Sequence, residues 1–142
     1  MSPEQKNLVK SSWAMVMPIA DTAASLFYDR LFAIDTSTRG MFSKTNMPEQ
    51  RKKLMQALAF VINGLDKTEQ LLPTIQSLGR NHVRYGVTAS HYDSVGAALL
   101  WTLEQGLKDA WTPPVKDAWI AAYTLVAGVM KDAADAEAKV TA

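Results

Sequence analysis

Apolar residues recur every three or four positions along almost the whole of this chain, and little interrupts them. Leu8, Val9, Trp13 and Val16 trace one face, and Ala20, Ala24, Phe27 and Leu31 succeed them at spacings of 4, 3 and 4. Only 7 glycines and 6 prolines punctuate the sequence, and no stretch alternates apolar and polar residues as a half-buried strand would. A helical period sustained in this way commits the chain to an all-α fold, each helix turning one apolar stripe toward a shared core.

The punctuation divides the chain into helices. Ser2-Pro3-Glu4-Gln5 reads as a capping box with proline in the first turn. Pro18 breaks or bends the chain after the first helix, and a second helix carries the stripe that ends at Leu31. Asp35 to Gly40 reads as a short turn or tight helix, and Ser43 to Met47 as a polar connection. Pro48 opens a long helix to about Asp66, and another runs from about Glu69 to Val83 with Pro73 near its first turn. Gly86-Val87-Thr88 is a break. A helix from about Ala89 to Leu107 sets Tyr92, Val95, Leu99 and Leu103 along one side. Thr112-Pro113-Pro114 starts the last helix, which presents Trp119, Tyr123, Val126 and Met130. The charged, alanine-rich tail 132–142 is expected to fray. No repeat or linker separates these pieces, so residues 1–142 are expected to form one domain, within the usual range of about 100–150 residues.

Composition removes several kinds of chemistry. The absence of cysteine excludes disulfides, thiolate metal sites and cysteine nucleophiles. Two histidines, His82 and His91, are too few for a multi-histidine metal site. A net charge of +1 is too weak for a nucleic-acid or membrane-surface footprint. The longest strictly apolar run, Ala57 to Ile62, falls far short of the roughly 20 residues that cross a bilayer, and the polar N-terminus leads into no targeting segment. The expected partners therefore include neither nucleic acid nor membrane, and the expected location is the cytoplasm.

Two polar residues fall on inward stripes. Leu71, Ile75, Leu78 and His82 are spaced by 4, 3 and 4, as are Gln50, Leu54, Ala57 and Val61. A buried polar group without a partner costs about 1–3 kcal/mol, so each must meet a protein group or a ligand. Spacing alone leaves both outcomes open: a histidine bonded to a carbonyl and a solvated first-turn glutamine satisfy it as well as a ligand does.

The ordered set Phe27-Tyr28-Asp29-Arg30-Leu31-Phe32, Met41-Phe42, Gln50-Arg51-Lys52-Lys53-Leu54 and His82 resembles the bacterial globins, above all single-domain haemoglobins related to the globin half of flavohaemoglobins. His91-Tyr92-Asp93-Ser94-Val95-Gly96, Leu99-Leu100, Asp117-Ala118-Trp119 and Tyr123 extend the likeness to about Met130. The resemblance implies a three-over-three helical sandwich enclosing haem b. It implies His82 as the iron ligand, its second ring nitrogen donating to a carbonyl near Leu78 or Gly79. Tyr92 matches a tyrosine on the same side; its hydroxyl either joins that network or reaches the surface. Tyr28 and Gln50 match the pair on the opposite side, where a phenol or amide hydrogen stabilises dioxygen that has drawn electron density. Leu54 matches the apolar residue over the iron and Phe42 the aromatic at the haem edge. Of the cations Arg51-Lys52-Lys53, Lys53 either meets a haem propionate or faces solvent. His91 has no role in the pattern beyond the surface or a helix cap.

The implied function is reversible binding of dioxygen, with nitric oxide and carbon monoxide as further ligands. Nitric-oxide dioxygenation with an external reductase, a gas-sensing role and a haem-free helical interaction domain are the alternatives. The sequence departs from the pattern in three places. Thr36 replaces a common proline, and Ala134 falls where flavohaemoglobins carry a glutamate behind the proximal ligand. No G-x-G-x-x-G fingerprint occurs, so electrons for repeated turnover are expected from elsewhere.

Overall fold

The computed structural model describes residues 1–42, 44–84 and 88–141, so Ser43 and the expected break at Gly86-Val87 lie outside the described residues. Seven α-helices are present among the described residues: α1 (Pro3–Val16), α2 (Ala20–Ile34), α3 (Ser37–Met41), α4 (Met47–Asn63), α5 (Thr68–Arg84), α6 (Ala89–Leu107) and α7 (Pro113–Thr141). There is no strand among them.

The starts of these helices obey the capping chemistry. Ser2 Oγ accepts from the Gln5 amide at 3.1 Å while Gln5 Oε1 accepts from the Ser2 amide at 3.1 Å, closing the capping box of α1. Asn46 caps α4 by accepting from the Glu49 amide at 3.2 Å. Pro18 shortens the chain into a single 3-10 turn, Met17–Ile19, between α1 and α2.

Two boundaries differ from the sequence reading. The helix begun by Pro48 stops at Asn63, where Gly64 ends it and a 3-10 turn, Leu65–Lys67, takes over. A Cβ on Gly64 would lie 2.8 Å from Leu71 Cγ, so glycine is what lets the two helices meet at this corner. Helix α5 begins at Thr68, which puts Pro73 inside it rather than in its first turn, removing the N–H that would have bonded to the Glu69 carbonyl. Helix α7 has no early boundary and runs to Thr141, with Ala133 buried.

Helices α1 and α5 lie on α7, α2 packs on α6 and α4, and α6 in turn meets α7 and α1. The stripes predicted from spacing supply the core: Val9, Trp13 and Val16 of α1 meet Phe27 and Leu31 of α2, Leu99 and Leu103 of α6, and Trp119 of α7. A deep polar contact in it is satisfied, since Trp119 Nε1 donates to Ser12 Oγ at 2.8 Å and Ser12 donates onward to the Leu8 carbonyl at 2.6 Å.

Candidate functional site

The apolar interior falls into two clusters. The larger joins α1, α2, α6 and the first half of α7, with Phe42 and Leu54 packed against it. The smaller holds Leu71 and Ile75 of α5, Tyr92 of α6, and Ala127 and Met130 of α7, with Leu78 against it. Tyr123 touches both. Helices α4 and α5 are not a packed pair, and the α4 stripe Gln50, Leu54, Ala57 and Val61 is only half-buried.

Tyr28 and Gln50 belong to the first cluster's side. Tyr28 is buried in the middle of α2, held edge-on by Phe27 at 5.0 Å and by Phe42 at 5.4 Å between ring centroids. Phe42, at the end of α3, also faces Phe32 at 5.7 Å, so three phenylalanines fix the tyrosine ring. Gln50, in the first turns of α4, donates from Nε2 to the Tyr28 hydroxyl at 3.1 Å. Burial pushes the phenol above its ordinary range, and the Gln50 bond offsets this in part. The two residues singled out as a pair are thus in contact, across 22 positions of sequence.

His82 and Leu78 belong to the second side. Burial along the α5 stripe fades toward its end: Leu71 and Ile75 are buried, while Leu78 and His82 are half-buried. His82 Nδ1 lies 2.6 Å from the Leu78 carbonyl oxygen, the acceptor expected one turn earlier. A carbonyl only accepts, so Nδ1 carries the hydrogen and Nε2 the lone pair. The close approach of α5 to α7 is set by Gly79, beside Leu78, where a Cβ would lie 2.7 Å from Met130 Cα.

Tyr92 stands on the same side as His82 and Leu78, packed in the smaller cluster. The residue is buried, so the hydroxyl does not reach the surface, and it has no hydrogen-bond partner among the described residues. Around the ring stand Leu71, Ile75, Ala127 and Met130, with Lys131 Nζ 5.5 Å from the ring centroid, and none of these side chains offers an acceptor. Burial accordingly pushes its pKa up. Ala134 supplies no carboxylate, and Asp132 and Asp135 are exposed. Lys53 is exposed on α4 and forms no ion pair among the described residues.

Two polar contacts were not legible as pairs. Tyr123, read as part of a stripe and of the family likeness, donates its hydroxyl to the Tyr92 carbonyl at 2.5 Å. Asp35 gathers hydrogens from Ser37 and Ser94, and Ser37 in turn meets His91. Helical periodicity finds stripes within one helix; it carries no signal for a bond across 59 positions.

The donor set suits an iron porphyrin. An imidazole with Nδ1 fixed by a carbonyl offers Nε2 as a ligand atom, a buried phenol–amide pair stands on another helix pair, and the core is divided between the two. These features define a class: an all-helical domain whose apolar interior is split, with one histidine on one part and polar donors on the other. The chain belongs to the globin family, whose family model matches residues 25–130, and membership implies a haem cofactor. It is similar to the flavohemoproteins of Vibrio cholerae serotype O1 (28% identical over 134 residues, 93% of this chain and 34% of that protein) and Bacillus subtilis (30% over 131 residues, 88% and 33%). It is also similar to the anaerobic nitrite reductase HBII of Casuarina glauca, at 27% over 142 residues, 90% of this chain and 89% of that protein. The chain spans about a third of the length of the flavohemoproteins it matches. Among the described residues, no helix is long and apolar enough to cross a membrane.

Proposed function

We propose that this chain binds haem b through His82 and reversibly holds dioxygen and other diatomic gases on the side of Tyr28 and Gln50. The observation that carries this reading is the bond from Gln50 Nε2 to the Tyr28 hydroxyl. Because Gln50 donates to the phenol oxygen, the phenol's own hydrogen is left to be aimed at another acceptor. Burial keeps the phenol neutral and therefore a donor. The ring is held by Phe27 and Phe42, so little freedom is lost when it meets a ligand.

Haem, when bound, would supply an iron able to take an imidazole nitrogen and a diatomic gas. The chain's residues then do the rest. The Leu78 carbonyl orients His82 and raises the basicity of its Nε2. Phe42, Leu54 and Leu78 supply apolar wall, Tyr92 packs on the His82 side, and Lys53 supplies a cation for a propionate.

A second reading is turnover of nitrogen oxides, favoured by the flavohemoprotein relatives and by a relative named as a nitrite reductase. In its dioxygenase form, dioxygen and nitric oxide leave as nitrate, and a separate reductase returns one electron. Absorption spectra of the chain mixed with haem test the shared basis of both readings. The expected result is a Soret band that shifts on reduction and again with carbon monoxide, and that loses its histidine-ligated ferrous form in His82→Gly. No haem uptake, or an unchanged His82→Gly spectrum, overturns the assignment.

A further inference from the structure

His91, the second histidine, has no place in the site above, yet it stands in a directional chain of hydrogen bonds. It occupies the third position of α6, and its Nδ1 accepts from the Thr88 amide at 2.9 Å, capping that helix. An atom that accepts from an N–H carries a lone pair, so the hydrogen of the neutral ring sits on Nε2. Nε2 lies 3.3 Å from Ser37 Oγ, to which it donates. The Ser37 hydroxyl donates to Asp35 Oδ1 at 2.5 Å, and Ser94 Oγ donates to Asp35 Oδ2 at 2.8 Å. Every hydrogen therefore points one way, from the α6 amide through the imidazole and the serine onto a carboxylate.

This chain of bonds joins elements far apart in sequence. Asp35 closes α2, the helix of Tyr28, and Ser37 opens α3, whose end holds Phe42. Thr88 and Ser94 flank Tyr92 on α6. The Ser37 and Ser94 hydroxyls hold the Asp35 carboxyl below the usual carboxylate range, so the acceptor end stays charged through the range in which a histidine titrates.

We propose that His91 is a pH-sensitive latch on the first turn of α6, holding the Thr88 amide when neutral and releasing it when protonated, while the bonds to the α2–α3 corner stay closed. A second hydrogen must go on Nδ1, where it faces the Thr88 N–H donor. The Thr88 hydroxyl, 3.3 Å from Nδ1, can accept that hydrogen, but the Thr88 amide has then lost its acceptor. Asp35, the charged group that faces the ring across Ser37, attracts the new charge and keeps the Nε2 end in place. The latch opens at one end only. It depends on these hydrogen bonds alone, so it stands or falls separately from the haem assignment.

The test is nuclear magnetic resonance of the labelled full chain between pH 5 and 8, tracking the His91 ring and the protection of the Thr88 amide against hydrogen exchange. Protection is expected to fall about tenfold on acidification, the scale of one lost hydrogen bond, with the same midpoint as the His91 ring. His91→Gln keeps a capping-box acceptor that does not titrate, so its Thr88 protection is expected to stay level across this range. His91→Ala is expected to be poorly protected throughout. Wild-type protection that ignores the ring titration, or a pH step that survives in His91→Gln, overturns the latch.

Discussion

Gly79 of α5 lies against the backbone of α7 at Met130, so closely that a methyl group there would overlap the Met130 carbonyl oxygen. The obstacle is main chain within a helix, which cannot turn aside as a side chain can. Three residues further along α5 is His82, whose position depends on how deeply α5 sits on α7. Gly79→Ala is therefore expected to push the helices apart and destabilise the fold by about 1–3 kcal/mol, although alanine is the better helix former. Denaturant unfolding measures the loss, and haem titration of the folded fraction is expected to show weaker uptake.

Tyr28→Phe and Gln50→Leu test the two donors separately. Removing the phenol hydrogen from a ligand of partial negative charge is expected to speed dioxygen dissociation by at least about tenfold, given the roughly 1.5–3 kcal/mol of such a bond. Gln50→Leu leaves that hydrogen in place but frees the hydroxyl to turn on a ring still held by its phenylalanines, so its effect is expected to be smaller. Stopped-flow dissociation rates decide, and unaltered rates in both variants remove the pair from the site.

The Trp119–Ser12 bond offers a cycle unrelated to any ligand. Trp119→Phe leaves Ser12 Oγ without its buried donor, at a cost of about 1–3 kcal/mol with the lost packing added. In Ser12→Ala the indole N–H is orphaned instead. Combining the two is expected to cost less than the sum, because both polar partners are then gone. Additive losses in chemical denaturation would remove the bond from the account of stability.

Alkaline pH tests the core through Tyr123. Its hydroxyl donates to the Tyr92 carbonyl, and burial, with the charges of ionised Tyr92 and of Asp93, holds its pKa above the ordinary tyrosine value. A folded-state pKa above the unfolded one stabilises the fold fully below the unfolded value, about 10, and that contribution is lost as pH rises above it. Stability is expected to fall above about pH 10 in the wild type and less steeply in Tyr123→Phe, as read from unfolding midpoints at successive pH values.

The legible part of this structure was the part written within single helices. The stripes through Leu31, Leu103 and Trp119 came from a 3.6 period, and the helix starts at Ser2-Pro3 and Pro113 from capping chemistry. His82 and its Leu78 acceptor were legible because both lie on one helix, four positions apart. Tyr28 and Gln50 were legible as a pair only through family resemblance, since nothing local joins α2 to α4. The Tyr92 hydroxyl was not legible, because its lack of an acceptor depends on what α7 brings to it. Nor was the inward turn of Ala133: an alanine-rich, charged composition gives no sign of it, because it depends on α5 lying beside α7.

The division of the interior also bears on how a cofactor enters. Helix α5 rests chiefly on α7, with Tyr92 of α6 packed among its Leu71 and Ile75, so swinging α5 outward opens the smaller cluster while the larger one stays whole. Such a movement is a local opening and requires less free energy than unfolding the molecule. A flat ligand beside the histidine is therefore expected to be loaded or surrendered where α5 parts from α7, with the larger cluster remaining folded.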